Sequence, residues 1–310
     1  MGNILDTCMK RNKGGEFKYR DGRRYDVNFD PLVPGLDKKK LVYPLPNDED
    51  EMDRLDIQHY MLRYAYQGNY CAPVTDLLTK RGARILDAGC GSGIWAMEMA
   101  QDFPQALVTG IDISPVQPRG QKPPNVDFQT VDLTKLPLPF ADGTFDFVKM
   151  RFLILGIKAE QWTEIIRELA RVTKKGGYLE VCEPSLAVHE DQKVMQEIMG
   201  MVAPLVAARG VDTQIATKLK SHLANCDLLS NVRETSRVIP YRRFPEDEGL
   251  DRLSQLVRQD AIMAQAAMKP VFVMRGMPEE QFDDQIRRAT EEMAVSKGGM
   301  RSHVVWGMRI

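Results

Sequence analysis

The sequence has few residues that could form disulfides or bind a metal ion. Its 310 residues include five cysteines and four histidines. The cysteines are odd in number and widely spaced, and no CxxC pair occurs. The histidines form no HExxH motif or other paired spacing. We therefore predict no disulfide framework, no bound metal and a reducing compartment.

An excess of charge of one sign and long apolar runs are also missing. The 42 basic and 43 acidic residues give a formal net charge of -1, which provides no field that would attract a polyanion such as DNA. No segment approaches the roughly 20 apolar residues needed to cross a bilayer, and the N-terminus lacks the apolar run of a signal peptide. We expect a cytoplasmic protein without nucleic-acid or membrane partners.

Two regions of the sequence differ in their pattern of polar and apolar residues. Residues 1–46 are polar without a clear period, and we predict an N-terminal arm, partly irregular, before a domain that spans residues 47–310. Asn47 or Asp48 can cap the first helix of that domain. From Arg84, short apolar runs alternate with helical patterns, which predicts βα units and a doubly wound parallel sheet. The expected strands are Arg84–Ala88, Leu107–Asp112, Val126–Val131, Phe145–Met150 and Tyr178–Cys182.

The second half of the chain is mainly helical. The spacing predicts a helix from Trp162 to Val172, ended by a glycine cap in "KKGG". Helical insertions are expected at about 187–210, with a helix over 189–209, and at 241–302, with two helices. A helix over 212–225 and a strand over 232–239 lie between them. The closing "HVVWGMRI" can enter the sheet antiparallel, because it follows a long insertion.

The segment "ILDAGCGSG" places three glycines directly after an expected strand. Gly89, Gly91 and Gly93 form G-x-G-x-G, whereas the dinucleotide fingerprint would need a third glycine at Ile94. A phosphate-binding P-loop is excluded because no Lys-Ser or Lys-Thr pair follows the glycines. The strand instead turns through glycines into a helix at the carboxyl edge of the sheet, where open α/β sheets bind ligands.

Three acids lie at or near the ends of successive strands. Asp87 suits a cationic group such as the ammonium of an amino acid, and would repel a pyrophosphate. Asp112 lies where an acidic residue accepts hydrogen bonds from ribose hydroxyls. Asp132 is placed to bind an adenine amino group. Together the three carboxylates predict S-adenosyl-L-methionine (SAM) as the cofactor.

These motifs resemble the class I SAM-dependent methyltransferases. "LPNDEDEMDRLDIQHYM", "GSGIWA" and "MRFL" are similar, more narrowly, to the LaeA-like (UMTA-type) fungal methyltransferases. The likeness runs from about Leu45 to Glu183. It implies a Rossmann-like, seven-stranded sheet whose last strand is antiparallel. It also implies that Leu133, Met150 and Arg151 join the cofactor-binding residues named above.

The sequence indicates the catalytic residues less clearly than the cofactor-binding residues. A general base is needed only if the methyl acceptor carries a proton, as a hydroxyl does. The candidates are His189, Glu183 and His59. His189 could equally be a solvated residue at the start of a helix, and His59 could cap the cofactor or make a structural hydrogen bond.

The function expected from these features is methyl transfer from SAM to oxygen, nitrogen or carbon of a small, largely apolar specialised metabolite of a fungus. Both insertions leave from the ligand-binding edge and are rich in methionine, which suits a lid over an apolar acceptor. One alternative is a LaeA-type regulatory protein in a nuclear complex that methylates protein. Another is a methyltransferase fold that catalyses a non-methylating isomerisation or cyclisation. The oligomeric state is left open.

Overall fold

The fold is taken from a computed structural model that describes residues 17–20, 23–26, 45–115 and 121–310. Most of the predicted N-terminal arm, including Cys8, lies outside the described residues. Within the arm, Phe17–Arg20 (β1) and Arg23–Asp26 (β2) form an antiparallel hairpin.

A seven-stranded sheet forms the centre of the molecule. Its order is β5-β4-β3-β6-β7-β9-β8, in which β3 to β7 run parallel and β9 is antiparallel to both of its neighbours. The expected doubly wound sheet with an antiparallel last strand is confirmed. The strands are Arg84–Ala88 (β3), Leu107–Asp112 (β4), Val126–Thr130 (β5), Phe145–Arg151 (β6), Thr173–Pro184 (β7), Leu229–Pro240 (β8) and Gly299–Arg309 (β9).

Helices cover both faces of this sheet, because its central strands are apolar on both sides. Ile85 and Phe147 pack into a cluster with α2 and α3, whereas the next residues, Leu86 and Val148, pack into a second cluster with α4 and α6. This alternation follows the two-residue period of a strand. The helices are Glu49–Tyr66 (α1), Thr75–Leu78 (α2), Ile94–Asp102 (α3), Trp162–Val172 (α4), Lys193–Ala207 (α5), Ile215–Ala224 (α6), Glu248–Ala266 (α7), Lys269–Met274 (α8) and Glu279–Val295 (α9).

The chain order of the sheet reverses between β3 and β6. Ala88, the last residue of β3, pairs with Met150 of β6, so the glycine turn after β3 lies beside Arg151 at the end of β6. Ligands of open α/β sheets bind at this kind of switch point. The topology therefore brings the glycine loop and Arg151 to one edge.

The predicted glycine cap after α4 is wrong. The helix ends at Val172 because Thr173 is already extended, and its hydroxyl donates to the carbonyl of Leu169 at 2.7 Å. Lys174 to Gly177 belong to β7. A Cβ at Gly177 would lie 2.5 Å from the carbonyl oxygen of Asp146, so this glycine permits the close approach of β6.

The predicted bounds of the insertions also need correction. The helix expected from His189 begins at Lys193, because Asp191 accepts hydrogen bonds from Ser296 and from the amide of Lys297, which hold the preceding segment in a loop. The second insertion contains three helices, since a short α8 with Pro270 in its first turn separates α7 from α9.

The described ranges lack three features: a membrane-spanning helix, a cluster of metal ligands and a disulfide. No helix there is long and apolar enough to cross a bilayer. No group of three or more potential metal ligands occurs in them. The four cysteines in these ranges, Cys71, Cys90, Cys182 and Cys226, are all free thiols.

Candidate functional site

A cavity of about 640 Å³ opens at the carboxyl edge of the sheet. This volume lies within the range of small-molecule sites, roughly 300 to 1,000 Å³. One part of the cavity is bounded by loops that follow β3 to β6, and the other part by helices α1, α5, α7, α8 and α9. The cavity thus joins the sheet edge to the lid.

The glycine loop borders the first part of the cavity. Gly89, Gly91 and Gly93 have φ of 78°, 55° and 78°, in the left-handed region that favours glycine. A Cβ at Gly89 would lie 2.5 Å from the side chain of Leu153, and one at Gly91 would lie 3.0 Å from Leu55 in α1. Gly89 and Gly91 line the cavity, whereas Gly93 caps α3 and does not.

Asp112, at the end of β4, holds the loop in place. One carboxylate oxygen accepts from the amide of Gly91 and the other from the amide of Ser114, both at 2.9 Å. Burial raises the pKa of Asp112, although backbone hydrogen bonds oppose the shift. Asp112 lines the cavity, and each carboxylate oxygen has a second lone pair that could accept from a ligand.

Asp132 follows β5 and borders the same part of the cavity, together with Leu133. One of its oxygens accepts from the amide and hydroxyl of Thr134, at 3.0 and 2.6 Å. Burial would raise the pKa of Asp132, but the hydrogen bonds from Thr134 and the ion pair with Lys135 outweigh it and lower the value. The carboxylate therefore stays charged at neutral pH.

Arg151 is a half-buried cation in the cavity wall, oriented by a histidine. Its Nη1 lies 3.3 Å from Nδ1 of His59, and Nε2 of His59 lies 2.9 Å from a carboxylate oxygen of Glu98. Burial lowers the pKa of His59 to about 4, so the ring is neutral. Because the guanidinium can only donate, we infer that Nδ1 accepts from Arg151 and that the proton resides on Nε2. His59 itself does not line the cavity.

Two of the predicted cofactor residues lie behind the cavity wall. Met150 is fully buried in the hydrophobic core between the sheet and α4. Asp87 is buried beneath the glycine loop, and its Oδ2 has no hydrogen-bond partner among the described residues. Burial raises the pKa of Asp87 to about 7, against the nearby charges of Arg151 and Lys149.

These groups fit the cofactor that the sequence predicts. Asp112 and Asp132 offer acceptors at the ends of neighbouring strands, as ribose hydroxyls and an adenine amino group require. Arg151 offers a cation for a carboxylate. The unpartnered oxygen of Asp87 beneath the loop is the natural counterpart of an ammonium.

None of the three predicted catalytic residues lines the cavity, since Glu183 and His189 are absent from its wall as His59 is. Both oxygens of the buried Glu183 are bound, to the amides of Leu153 at 2.8 Å and Ile154 at 3.1 Å, and burial raises its pKa to about 8. The side chain of His189 is 40% exposed and its Nδ1 lies 2.7 Å from Asp191. The geometry gives Glu183 and His189 structural contacts.

A carboxylate that sequence reasoning missed does border the cavity. Asp260 of α7 is buried, and its Oδ1 accepts from Nη1 of Arg54 at 2.7 Å and from Nε2 of Gln58 at 3.3 Å. Burial raises its pKa, whereas the charge and hydrogen bond of Arg54 lower it. The polar residues of α1 are visible in the sequence, but nothing there pairs them with a residue 206 positions away.

The lid part of the cavity is mainly apolar. It is contributed by the consecutive helices α7, α8 and α9 and by α5, which α6 and β8 separate from them in the sequence. Its apolar lining residues include Met195, Ile198, Met199, Val202, Val206, Met268, Phe272 and Phe282.

The comparisons with known proteins agree with this architecture. A family model described as "Methyltransferase domain" matches residues 85–177. The chain is 29% identical over 247 residues to methyltransferase str2 of Strobilurus tenacellus, an alignment that covers 78% of this chain and 86% of that protein. It is 28% identical over 300 residues to methyltransferase pytC of Aspergillus terreus, covering 93% of this chain and 83% of the relative. The secondary metabolism regulator laeA of Monascus pilosus is 35% identical over 150 residues, 47% of this chain and 38% of that protein.

Proposed function

Since the chain is a SAM-dependent methyltransferase related to the LaeA-like fungal enzymes, we propose that it methylates a small, largely apolar specialised metabolite. The observation that carries this proposal is the continuity of the cavity. The same cavity is polar where it meets the strand ends and apolar beneath the lid. Such a cavity can hold cofactor and acceptor side by side.

The cofactor-binding residues divide into three roles. Asp112 accepts hydrogen bonds from the ribose, while Asp132 and Leu133 contact the adenine. Arg151 binds the carboxylate of the methionine part, held in place by neutral His59, and Asp87 lies beneath the ammonium. When bound, SAM supplies a methyl group already activated by the sulfonium, so the chain mainly has to position the acceptor.

An acceptor that carries a proton needs a group to receive it, and we assign this role to Asp260. Leu55 of α1 approaches Gly91 of the glycine loop, and the neighbouring Arg54 binds Asp260. Asp260 and Gly91 line the same cavity, which supports a position for Asp260 near the boundary between its two parts. Bound SAM would supply the methyl group and leave as SAH when its sulfur–methyl bond breaks, and Asp260 would receive the proton that the acceptor loses. Arg54 stabilises the carboxylate of Asp260 before it takes up that proton.

The extent of the alignments gives less support to the regulatory alternative. The alignment with pytC spans 93% of this chain and so includes most of the lid, whereas that with laeA spans 47%. The lid is the part of the molecule that would select an acceptor.

The proposal is tested by incubating the protein with SAM and a panel of apolar fungal metabolites. We expect formation of S-adenosylhomocysteine (SAH) together with a product heavier than the acceptor by one methylene. Methylation of proteins alone would contradict the proposal. A rearranged product without SAH would support the non-methylating alternative instead.

Asp260→Asn tests the proton acceptor, with a hydroxyl acceptor found in that panel. We expect kcat to fall by roughly 10²- to 10⁴-fold, the usual contribution of general-base catalysis, with unchanged affinity for SAH measured by calorimetry. Glu280→Gln, an exposed change in α9, is the control and should keep wild-type kcat. An undiminished rate in Asp260→Asn would exclude this role.

A further inference from the structure

Two amide side chains in the lid part of the cavity each carry an unpartnered polar atom. Gln192 precedes the first turn of α5 and is 1% exposed, and its Nε2 has no hydrogen-bond partner in the described part of the chain. Gln265 lies on α7, and its buried Oε1 likewise has no partner among the described residues. Both side chains line the cavity.

The other atom of each amide is bound, which fixes its orientation. Oε1 of Gln192 accepts from the amide of His189 at 3.2 Å. Nε2 of Gln265 lies 3.2 Å from the sulfur of Met195. Exchanging the two ends of either amide would lose that contact, so Gln192 has a donor left over and Gln265 an acceptor.

The two amides belong to one place in the lid. Met195 follows Gln192 by three residues, on the same side of the first turn of α5, and its sulfur contacts Gln265. The neighbouring lining residues Ile198, Met199 and Met268 are apolar. A polar pair in such surroundings is unfavourable without partners, because buried polar groups normally form hydrogen bonds.

The pair differs from the cofactor-binding groups in position and in charge. The latter lie at the strand ends and include Asp112, Asp132 and Arg151, whereas the pair lies on two lid helices and is neutral. Its complement must offer one acceptor and one donor. A carboxylate offers only acceptors and an ammonium only donors, so each would leave one glutamine atom unbound.

We propose that Gln192 and Gln265 form a binding site for a secondary amide, open-chain or lactam, in the acceptor substrate. Nε2 of Gln192 donates to the amide carbonyl, and Oε1 of Gln265 accepts from the amide N–H. An amide carries its donor and acceptor on separate atoms, which suits glutamines from two different helices. This inference rests on the proposed function and names the substrate class for its acceptor site.

The test uses three fragments that differ in hydrogen bonding. Isocarbostyril is an aromatic lactam with both groups, N-methylisocarbostyril lacks the donor, and naphthol replaces the amide with a hydroxyl. Each is titrated by calorimetry into protein saturated with SAH. We expect isocarbostyril to bind about tenfold more tightly than either analogue, the factor that one hydrogen bond typically gives.

Gln192→Met and Gln265→Met keep the length of the side chain and remove its hydrogen bonding. Gln265→Met should abolish most of the preference for isocarbostyril over its N-methyl analogue, because that preference comes from the N–H group. Gln192→Met should weaken binding of both lactams by a similar factor, because both keep the carbonyl. Gln259→Met, an exposed change on α7, should retain the wild-type affinities. Equal binding of the lactam and its N-methyl analogue, or tighter binding of naphthol, would overturn the proposal. A preference over the N-methyl analogue that survives in Gln265→Met, or wild-type affinity for both lactams in Gln192→Met, would also overturn it.

The same titrations separate this inference from the proposed function. Loss of SAH binding by the wild-type protein would contradict the methyltransferase assignment itself. Normal SAH binding without any preference among the fragments would contradict only the amide site.

Discussion

Asp112 combines two tasks in one side chain. Its carboxylate binds the amides of Gly91 and Ser114, and it faces the cavity where ribose is expected. Asp112→Ala should weaken SAH binding by about ten- to a hundredfold, since a hydrogen bond to a charged group contributes roughly 1.5 to 3 kcal/mol. Calorimetry measures this change directly.

Two further variants sharpen the Asp112 experiment. Asp112→Asn keeps one acceptor oxygen and should lose less affinity than Asp112→Ala. Asp127→Ala removes an exposed carboxylate of the neighbouring strand and should bind SAH as the wild type does. Wild-type affinity in Asp112→Ala would refute the ribose assignment.

His59 makes stability depend on pH in a defined direction. Its pKa falls from 6.5 to about 4 on folding, because burial disfavours the charged ring. Below pH 6.5 the unfolded chain takes up a proton that folded His59 does not. This residue therefore lowers the free energy of unfolding progressively between pH 6.5 and 4, by roughly 3 kcal/mol at about 1.4 kcal/mol per unit.

His59→Gln tests this linkage, because Gln can accept from Arg151 and donate to Glu98 without titrating. Urea unfolding at pH 7 and pH 4.5 should show a smaller loss of stability in the variant than in the wild type. His222→Gln, at a partly exposed site, should leave most of the wild-type loss in place. Equal losses in wild type and His59→Gln would contradict a neutral buried ring.

Residues that follow local patterns were predictable from the sequence. The glycines follow an apolar strand, the three acids lie at or near the ends of such strands, and parallel strands bring their carboxyl ends to one edge. Of these residues, Asp87 and Gly93 lie just behind the cavity wall. Asp260 and Gln265 gave no local signal, because their partners on α1 and α5 lie far away in the chain.

At the scale of elements, the two insertions are joined by a small polar junction. Asp191 lies before α5 and Ser296 follows α9. The carboxylate of Asp191 binds His189, the hydroxyl of Ser296 and the amide of Lys297. Glu292 of α9 adds hydrogen bonds to the first amides of α5.

Asp191→Ala should loosen the lid without affecting the sheet. We expect faster hydrogen exchange at 187–207 and 290–298, and unchanged exchange in β3 and β4. Asp284→Ala removes an exposed carboxylate of α9 that pairs with Arg287 on the same helix, so it should leave exchange as in the wild type. Unchanged lid exchange in Asp191→Ala would show that the junction does not hold the lid.

The elements of the sheet were more predictable than those of the lid. β3 and β4 have the predicted bounds because short apolar runs between turn residues mark buried strands. The helix expected from His189 begins later, at Lys193, and the two helices expected around "KPVFVMRGMP" are present but are separated by a short third helix. Their ends depend on Asp191, Ser296 and Pro270, which act through contacts between distant segments or through local breaks.

For the whole molecule, the strand-end part of the cavity and the lid part of the cavity are built from different kinds of sequence segments. The strand-end part is built from consecutive βα units, and the matching family model covers this region, residues 85–177. The lid part of the cavity forms only when α1, the two insertions and the end of β7 come together in the folded protein. This difference explains why the cofactor could be predicted from short motifs, whereas the polar groups in the lid part of the cavity could be identified only from the folded structure.

The most direct test of the account is a crystal structure of the protein with SAH. We predict the ribose hydroxyls on Asp112, the adenine beside Asp132 and Leu133, and the amino acid carboxylate on Arg151. The lid part of the cavity should remain free for an acceptor. SAH bound elsewhere, or in the lid part of the cavity with its ribose away from Asp112, would contradict the central claim.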